Sequence, residues 1–153
     1  MKREKKQKRV VHSIRKRLKP KLKFNLKLIN YKRIDPEFKN LKYKFILKHL
    51  AKLDNSCNDI GLKSKGKILE SGTSNIFFIK DSKIYSPKSG IYKGINYNFF
   101  KKKLGKIINK DIKVSSLNDY DEILLIGSGK GVASINTINE IKWKRRSLKF
   151  YKL

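Results

Sequence analysis

The chain has 153 residues, of which 39% are hydrophobic, and this is enough for the core of one domain. Its formal net charge is +28, from 40 Lys and Arg against 12 Asp and Glu. The single cysteine, Cys57, excludes an internal disulfide and a CxxC metal motif, and we expect no metal site. No apolar run approaches the ~20 residues that span a bilayer, and the basic N-terminus lacks the apolar segment of a secretory signal. We therefore expect a cytoplasmic protein.

The high positive charge makes nucleic-acid binding the first generic hypothesis. However, the lysines are spread over almost every segment and are not gathered on one stripe. The abundance of Lys, Ile and Asn is also typical of an A/T-rich coding sequence, whatever the function. We therefore expect a solvated lysine surface that binds nucleic acid only non-specifically.

Residues 1–22 form a basic leader, and residues 23–153 are predicted to form one domain. Self-repulsion among the Lys and Arg of the leader predicts an extended or disordered segment, although residues 10–18 could form a short helix. Alternating apolar and polar side chains predict a strand at 24–31. Apolar residues at helical spacing, with Leu41 among them, predict a core-facing helix over 41–53.

The rest of the chain alternates between short strands and helices. A helix is predicted from Gly94 to about Ile108, with Ile95 and Phe99 directed inward, and another helix begins at about Arg145. The mixture of local hairpins and helices indicates an α+β fold. The strands predicted in this part are 60–63, 67–69, 75–80, 83–86, 112–114, 122–126 and 132–135.

The most informative stretch is residues 70–80, where a single carboxylate, Glu70, precedes a small polar turn and an apolar strand. Such a carboxylate is either exposed at an edge or buried with a cationic or hydrogen-bonding partner. Glycine-bearing turns at 71–74, 94–96 and 127–131 expose backbone N–H groups that can bind an anion, although each could also be an ordinary turn. The spacing at 127–131 matches neither a Walker A motif nor GxGxxG.

Segments 70–80, 90–95 and 121–128 resemble, in the same order, those of the class IV aminotransferase family, which are fold-type IV enzymes dependent on pyridoxal 5'-phosphate. Tyr85-Ser86-Pro87 stands in the place of the family's Thr-Pro segment, and residues 39–43 are similar to its Lys-Thr-Leu-Asn-Tyr. The resemblance covers about residues 30–150. It implies the C-terminal domain of a fold like that of D-amino acid aminotransferase, with mixed, barrel-like strands and flanking helices.

The resemblance also implies a role for each matching residue. Lys39 is the expected Schiff-base lysine, with Lys42 as the alternative. Glu70 would face the pyridine nitrogen, where an anion keeps that nitrogen protonated so that the ring can accept electrons. Asn75 would support the strand beside the ring. The expected phosphate contacts are the backbone N–H groups of Gly94, Ile95 and Asn96, with Ser128 and Gly129 completing the cup.

Within the family, the segments around Lys39 and at 127–132 look most like aminodeoxychorismate lyase. That enzyme converts 4-amino-4-deoxychorismate to 4-aminobenzoate and pyruvate for folate synthesis. An amino-acid aminotransferase, for branched-chain or D-amino acids, is the alternative, because both activities share the lysine, the carboxylate and the phosphate cup. A basic nucleic-acid-binding protein and an inactive remnant are alternatives of other classes.

The chain departs from the family pattern in three ways. Asn96-Tyr97 replaces Thr-Arg, which removes a hydroxyl from the phosphate cup, and the turn at 129–131 is richer in glycine. The family's N-terminal domain, which supplies a phosphate-binding arginine and much of the substrate pocket, has no counterpart here. We therefore expect a truncated member or half of a split enzyme, completed by a homodimer or by a partner chain. Arg15 or Arg17 could supply the missing charge.

Overall fold

The computed structural model describes residues 16–151, so most of the predicted leader lies outside the described residues. Of the possible helix at 10–18, residues 16–18 are described and are not helical. The described strands, in chain order, are β1 (Phe24–Asn30), β2 (Asn58–Ser64), β3 (Lys67–Ser71), β4 (Asn75–Lys80), β5 (Lys83–Pro87), β6 (Ile107–Lys110), β7 (Ile112–Lys113), β8 (Glu122–Gly127), β9 (Gly131–Ile138) and β10 (Trp143–Lys144). The helices are α1 (Lys44–Leu50) and α2 (Ile95–Leu104), with 3-10 turns at Val114–Asp119 and Asn139–Ile141.

The strands form one mixed sheet in the order β6-β5-β4-β8-β9-β1-β2-β3-β7, with β10 paired to β9. The pairs β1–β2, β1–β9 and β5–β6 are parallel, and the other pairs are antiparallel. Asn75 at the start of β4 lies opposite Ile126 near the end of β8. This register brings the turn before β4 beside the turn after β8.

The predicted α+β class with a mixed sheet is confirmed.

Two tight turns set the register of the local hairpins. Lys65 and Gly66 both have positive φ, of 49° and 71°, between β2 and β3. Asp81 and Ser82, at 51° and 59°, make the same left-handed turn between β4 and β5. Two left-handed residues match the right-handed twist of the flanking strands, which is why short hairpins favour this turn.

The helix predicted over 41–53 is shorter than expected. The Asn40 side chain accepts a hydrogen bond from the Lys42 N–H and donates to the carbonyl of Ile34, so residues 40–42 form a loop and α1 begins only at Lys44. Leu41 was predicted to face the core but is 97% exposed. The buried residues of the helix are Ile46 and Leu50, and burial of each such side chain contributes about 1.5–3 kcal/mol.

The second helix also differs from the prediction. It ends at Leu104, and Ile108 belongs to the unforeseen strand β6. Ile95, predicted to point inward, is 81% exposed, and Phe99 is exposed as well. Tyr97 is the buried residue, because its ring packs against Phe77 and its hydroxyl donates to Asn109.

The C-terminal helix predicted from Arg145 is not formed within the described residues. Tertiary hydrogen bonds hold this segment in an irregular path instead. The Arg145 N–H donates to the carbonyl of Asn136, the Arg146 N–H to that of Asp121, and the Phe150 N–H to the Glu122 carboxylate. Backbone groups that are used in this way are no longer available for helical hydrogen bonds.

Three apolar clusters bury the faces of the sheet. The largest includes Trp143, whose indole N–H donates to the Tyr120 carbonyl. A second lies under α2 and a third under α1. In the described part of the chain, neither helix is long and apolar enough to cross a membrane.

Candidate active site

A cavity of about 290 Å³ opens where the loop before α1, the turn after β3, the start of α2 and the turn after β8 meet. This volume is close to the lower end of the ~300–1,000 Å³ range of small-molecule sites. The site residues predicted from the sequence line it together, apart from the alternative Lys42: they are Lys39, Glu70, Asn75, Gly94, Ile95, Asn96, Ser128 and Gly129. Residues that are far apart in the sequence thus line the same cavity.

Glu70, near the end of β3, is 5% exposed and has a partner for each oxygen. The guanidinium of Arg33, which is also buried, donates from Nε to Oε1, and the Tyr92 N–H donates to Oε2 at 3.1 Å. Burial raises the pKa of the Glu70 carboxyl above its ordinary value, and the Arg33 and Tyr92 hydrogen bonds oppose that rise. Arg33 is itself fixed by the Tyr43 hydroxyl and the Pro36 carbonyl, at 3.0 and 2.8 Å.

The two candidate lysines lie in different surroundings. Lys39 is exposed and contributes to the wall of the cavity. Its neighbour Asn40 ties the loop to the carbonyls of Ile34 and Asp35 through its side-chain amide, which limits how far Lys39 can move. Lys42 is exposed with its amine 3.9 Å from the Asp35 carboxylate. Of the two lysines, Lys39 therefore lines the cavity and Lys42 does not.

The N-terminus of α2 forms one side of the cavity. The Asn75 side chain donates to the Tyr92 carbonyl at 2.6 Å and accepts from the Gly94 N–H at 3.3 Å, so it fixes the loop that leads into the helix. The Gly94 N–H is engaged by this contact. The N–H groups of Ile95 and Asn96 are in the first turn of the helix, where backbone donors lack intrahelical partners and attract anions.

The turn after β8 forms the opposite side. Ser128 and Gly129 are exposed at its tip, and a Cβ on Gly129 would meet nothing within 4 Å. Behind the tip, Lys130 is buried and its amine is 2.7 Å from the Asp59 carboxylate. A Cβ on Gly127 would lie 2.5 Å from the Ser74 hydroxyl, so the two turns are in close contact.

Sequence reasoning did not identify Arg33, Asp59 or Lys130. The only signal was general, namely that a buried carboxylate requires a cationic partner.

Arg15 and Arg17 were considered as substitutes for the phosphate-binding arginine of the family's N-terminal domain. Arg15 lies outside the described residues. The Arg17 guanidinium packs against Gly131, with Nη2 2.7 Å from where a Cβ would be, and it is not part of the cavity wall. Within residues 16–151, no group of three or more potential metal ligands occurs.

Comparison with protein families matches residues 3–138 to the amino-transferase class IV family model. This match begins within the basic leader and contains all the lining residues named above. A comparison with curated protein sequences found no significant match.

Solved structures with a similar fold include a putative lyase and two aminotransferases. A putative 4-amino-4-deoxychorismate lyase from Legionella pneumophila is 20% identical with a TM-score of 0.67 over 92% of this chain and 55% of its own. A branched-chain aminotransferase from Thermoproteus uzoniensis, solved with norvaline, is 18% identical with a TM-score of 0.68 over 84% and 48%. An aminotransferase from Brucella abortus, bound to the cofactor PLP, is 17% identical with a TM-score of 0.68 over 87% and 51%. The chain thus spans about half the length of the structures that it matches.

Proposed function

The chain belongs to the amino-transferase class IV family, and on that premise we propose that it is an enzyme dependent on pyridoxal 5'-phosphate, with its active site in the cavity around Lys39 and Glu70. The observation that carries the proposal is that an amine, a buried carboxylate and two turns with backbone N–H groups that can bind an anion all line one cavity. These are the three kinds of group that such a cofactor needs for its aldehyde, its ring nitrogen and its phosphate.

The residues present fit the cofactor at each of its ends. Glu70 is a buried carboxylate that lines the cavity, and it can face a protonated ring nitrogen. Gly129 leaves open space where a side chain would stand, so an oxygen-rich group can approach its backbone. The Ile95 and Asn96 N–H groups, at the positive end of the α2 dipole, complete the cup for a phosphate.

Lys39 is proposed to hold the cofactor through its amine, and Lys42 is the alternative. When bound, the cofactor would supply an electron sink for the bonds of the substrate's α-carbon. The Lys39 amine lines the same cavity and could take up or return a proton at that carbon.

Glu70 is proposed to be the anion that keeps the ring nitrogen protonated. Its partner Arg33 orients it, because the guanidinium is held at two other points, by Tyr43 and Pro36. The Tyr92 N–H fixes the second oxygen and links Glu70 to the loop that leads into α2. The ring end and the phosphate end of the site are therefore connected through one loop, residues 92–94.

For the reaction, we propose aminodeoxychorismate lyase activity, in which 4-amino-4-deoxychorismate yields 4-aminobenzoate and pyruvate. Support comes from the similarity of the segments around Lys39 and at 127–132 to that enzyme, and from the fold shared with the Legionella protein over 92% of this chain. A branched-chain or D-amino acid aminotransferase shares the same lysine, carboxylate and cup. A role in folate synthesis and a cytoplasmic location are further predictions of this proposal.

We propose that a second copy of the chain, or a partner chain, completes the substrate side of the cavity. Large apolar side chains are exposed in the segments that supply its lining: Phe38 precedes Lys39, Leu41 follows it by two residues, and Ile95 lines the cavity at the start of α2. Apolar groups so close to a site favour contact with another protein surface. Light scattering on the purified chain would test this, since a monomer with full activity would contradict it.

One mixed assay tests the reaction. The purified chain is given the cofactor with 4-amino-4-deoxychorismate, and separately with amino donors and 2-oxoacids. Formation of 4-aminobenzoate and pyruvate without loss of an amino donor is the expected result. Transamination without 4-aminobenzoate formation would replace the lyase proposal by the aminotransferase. The control is Lys39→Ala, which removes the proposed amine and should abolish either activity.

A further inference from the structure

The buried ion pair between Asp59 and Lys130 is not used by the proposed reaction. Asp59 is 0% exposed and Lys130 is 7% exposed, and their charged atoms are 2.7 Å apart. Removing two charges from water is costly, and a well-packed apolar pair in the same place is often equally stable or more stable. The stability of the fold alone therefore gives little reason for two charges at this position.

The Asp59 carboxylate connects three separate segments. Its Oδ2 atom accepts hydrogen bonds from the Lys130 amine, from the Thr73 hydroxyl at 2.7 Å and from the Ser71 hydroxyl at 3.2 Å. Its Oδ1 atom accepts from the Ile60 N–H in its own strand, at 2.8 Å. One side chain on β2 thus holds the turn after β3 and the turn after β8 at the same time.

Both of these turns line the candidate cofactor cavity. Lys130 directly follows Ser128 and Gly129, whose backbone and hydroxyl form one side of the proposed phosphate cup. Ser71 also accepts from the N–H groups of Thr73 and Ser74, so the first turn is internally braced. The close contact of the two turns leaves little room for one to shift without the other.

We propose that Asp59 and Lys130 are positioning residues that hold the two turns in register and so shape the phosphate cup. This inference rests on the proposed function, because it assumes that the cup receives the phosphate of pyridoxal 5'-phosphate. Neither residue lines the cavity: Asp59 acts through the Ser71 and Thr73 hydroxyls and the Lys130 amine, and Lys130 acts through its place in the turn that follows β8. The readout must therefore concern the phosphate specifically.

The experiment measures the dissociation constants of pyridoxal 5'-phosphate and of pyridoxal, which lacks the phosphate, by equilibrium titration. The ratio of the two constants is the preference for the phosphate. In Lys130→Met we expect this preference to fall about tenfold, because a displacement of about 1 Å in a positioned group can cost up to about 100-fold. A residue with a merely structural role would weaken both ligands alike and leave the ratio unchanged.

Two further variants complete the design. Asp59→Ala combined with Lys130→Met removes both charges, avoids an unpaired buried ion and decides the question if the single variant does not fold. The matched control is Lys67→Met, which breaks an ion pair with Asp111 at 2.6 Å that is far more exposed. The control should keep the full preference for the phosphate.

The outcomes separate the two proposals. A wild-type chain that binds neither ligand at a single site overturns the proposed function, and the positioning role with it. A wild-type chain that prefers the phosphorylated ligand supports the proposed function. If a folded double variant then keeps that preference unchanged, the positioning role is overturned while the proposed function stands.

Discussion

Two buried ion pairs lie next to the turn after β3, and their carboxylates have different surroundings. Arg33 and Glu70 meet at the wall of the cavity, and Glu70 has one further donor, the Tyr92 N–H. Asp59 and Lys130 meet behind the turns, and Asp59 has three further donors. The first carboxylate faces a space that a ligand can enter, whereas the second faces only protein.

We propose that one kind of interaction serves two purposes in this chain. In our proposal, Glu70 at the cavity wall is available to a bound cation, and Arg33, which lines the same cavity, orients it. A carboxylate that is enclosed by donors from three segments has no capacity left for a ligand and instead fixes those segments in place. The two carboxylates accordingly differ in their number of donors, which is two for Glu70 and four for Asp59.

Replacing the cationic residue of each buried pair should have the largest effect on the free energy of unfolding. We expect Lys130→Met to lower the free energy of unfolding by about 3–5 kcal/mol, because it leaves a fully enclosed charge without its cation. Arg33→Met should cost less, because Glu70 lines the cavity, where water can reach it, and its raised pKa allows it to take up a proton. Urea denaturation of both variants measures the difference, and the opposite order would contradict the comparison.

Neutralising the cavity carboxylate should damage catalysis more than binding. We expect Glu70→Gln to lower kcat by about 100-fold or more, roughly 2.7 kcal/mol in activation free energy, while the cofactor still attaches to Lys39. The reason is that the amide cannot keep the ring nitrogen protonated. Asp59→Asn is the matched variant, and its main effect should be on the preference for the phosphate. Equal losses of kcat in the two variants would remove the distinction between the pairs.

The pH dependence of stability offers a third comparison. Burial raises the pKa of the Glu70 and Glu122 carboxyls above their ordinary value of 4.5. Each group binds its proton more tightly in the folded chain, so its contribution to stability is complete below pH 4.5 and is lost as the pH rises through the raised pKa. Glu70→Gln and Glu122→Gln should each flatten the fall in stability above pH 4.5, by at most about 1.4 kcal/mol per pH unit. Urea denaturation across this range provides the test, and an unchanged slope in both variants would contradict the assignment.

An exposed ion pair should give the smallest effect. Lys67 and Asp111 are as close as the buried pairs, at 2.6 Å, but both side chains are partly exposed to water. Solvent screening makes such pairs weak, so Lys67→Met should leave the thermal midpoint nearly unchanged. A loss similar to that of Lys130→Met would mean that burial does not set the difference between these pairs.

The strands could be predicted from the sequence far better than the helices. Alternation and apolar runs identified the strands at 24–31, 75–80 and 122–126 close to their observed bounds, because the sheet buries them strongly. The predicted ends of the helices were wrong, because side-chain contacts determine where each helix begins and ends. The loop fixed by Asn40 shifts the start of α1 to Lys44. Tertiary hydrogen bonds take the place of the helix that was expected after Arg145.

The sequence could identify the residues that line the site but not the residues that support them. Glu70, Lys39 and the glycine turns follow a family order along the chain, and they line one cavity. Arg33 is 37 residues from Glu70 and Lys130 is 71 residues from Asp59. Among 40 basic residues nothing in the sequence marks these two. Their identity depends on burial, which only the folded chain provides.

The most direct test of the account is the position at which pyridoxal 5'-phosphate attaches. The purified chain is mixed with the cofactor, reduced with borohydride and digested, and the labelled peptide is mapped by mass spectrometry. We predict one label, on Lys39, which is lost in Lys39→Ala and kept in Lys42→Ala. Label on Lys42 would move the site, and label spread over many of the surface lysines would contradict the existence of a cofactor site in this cavity.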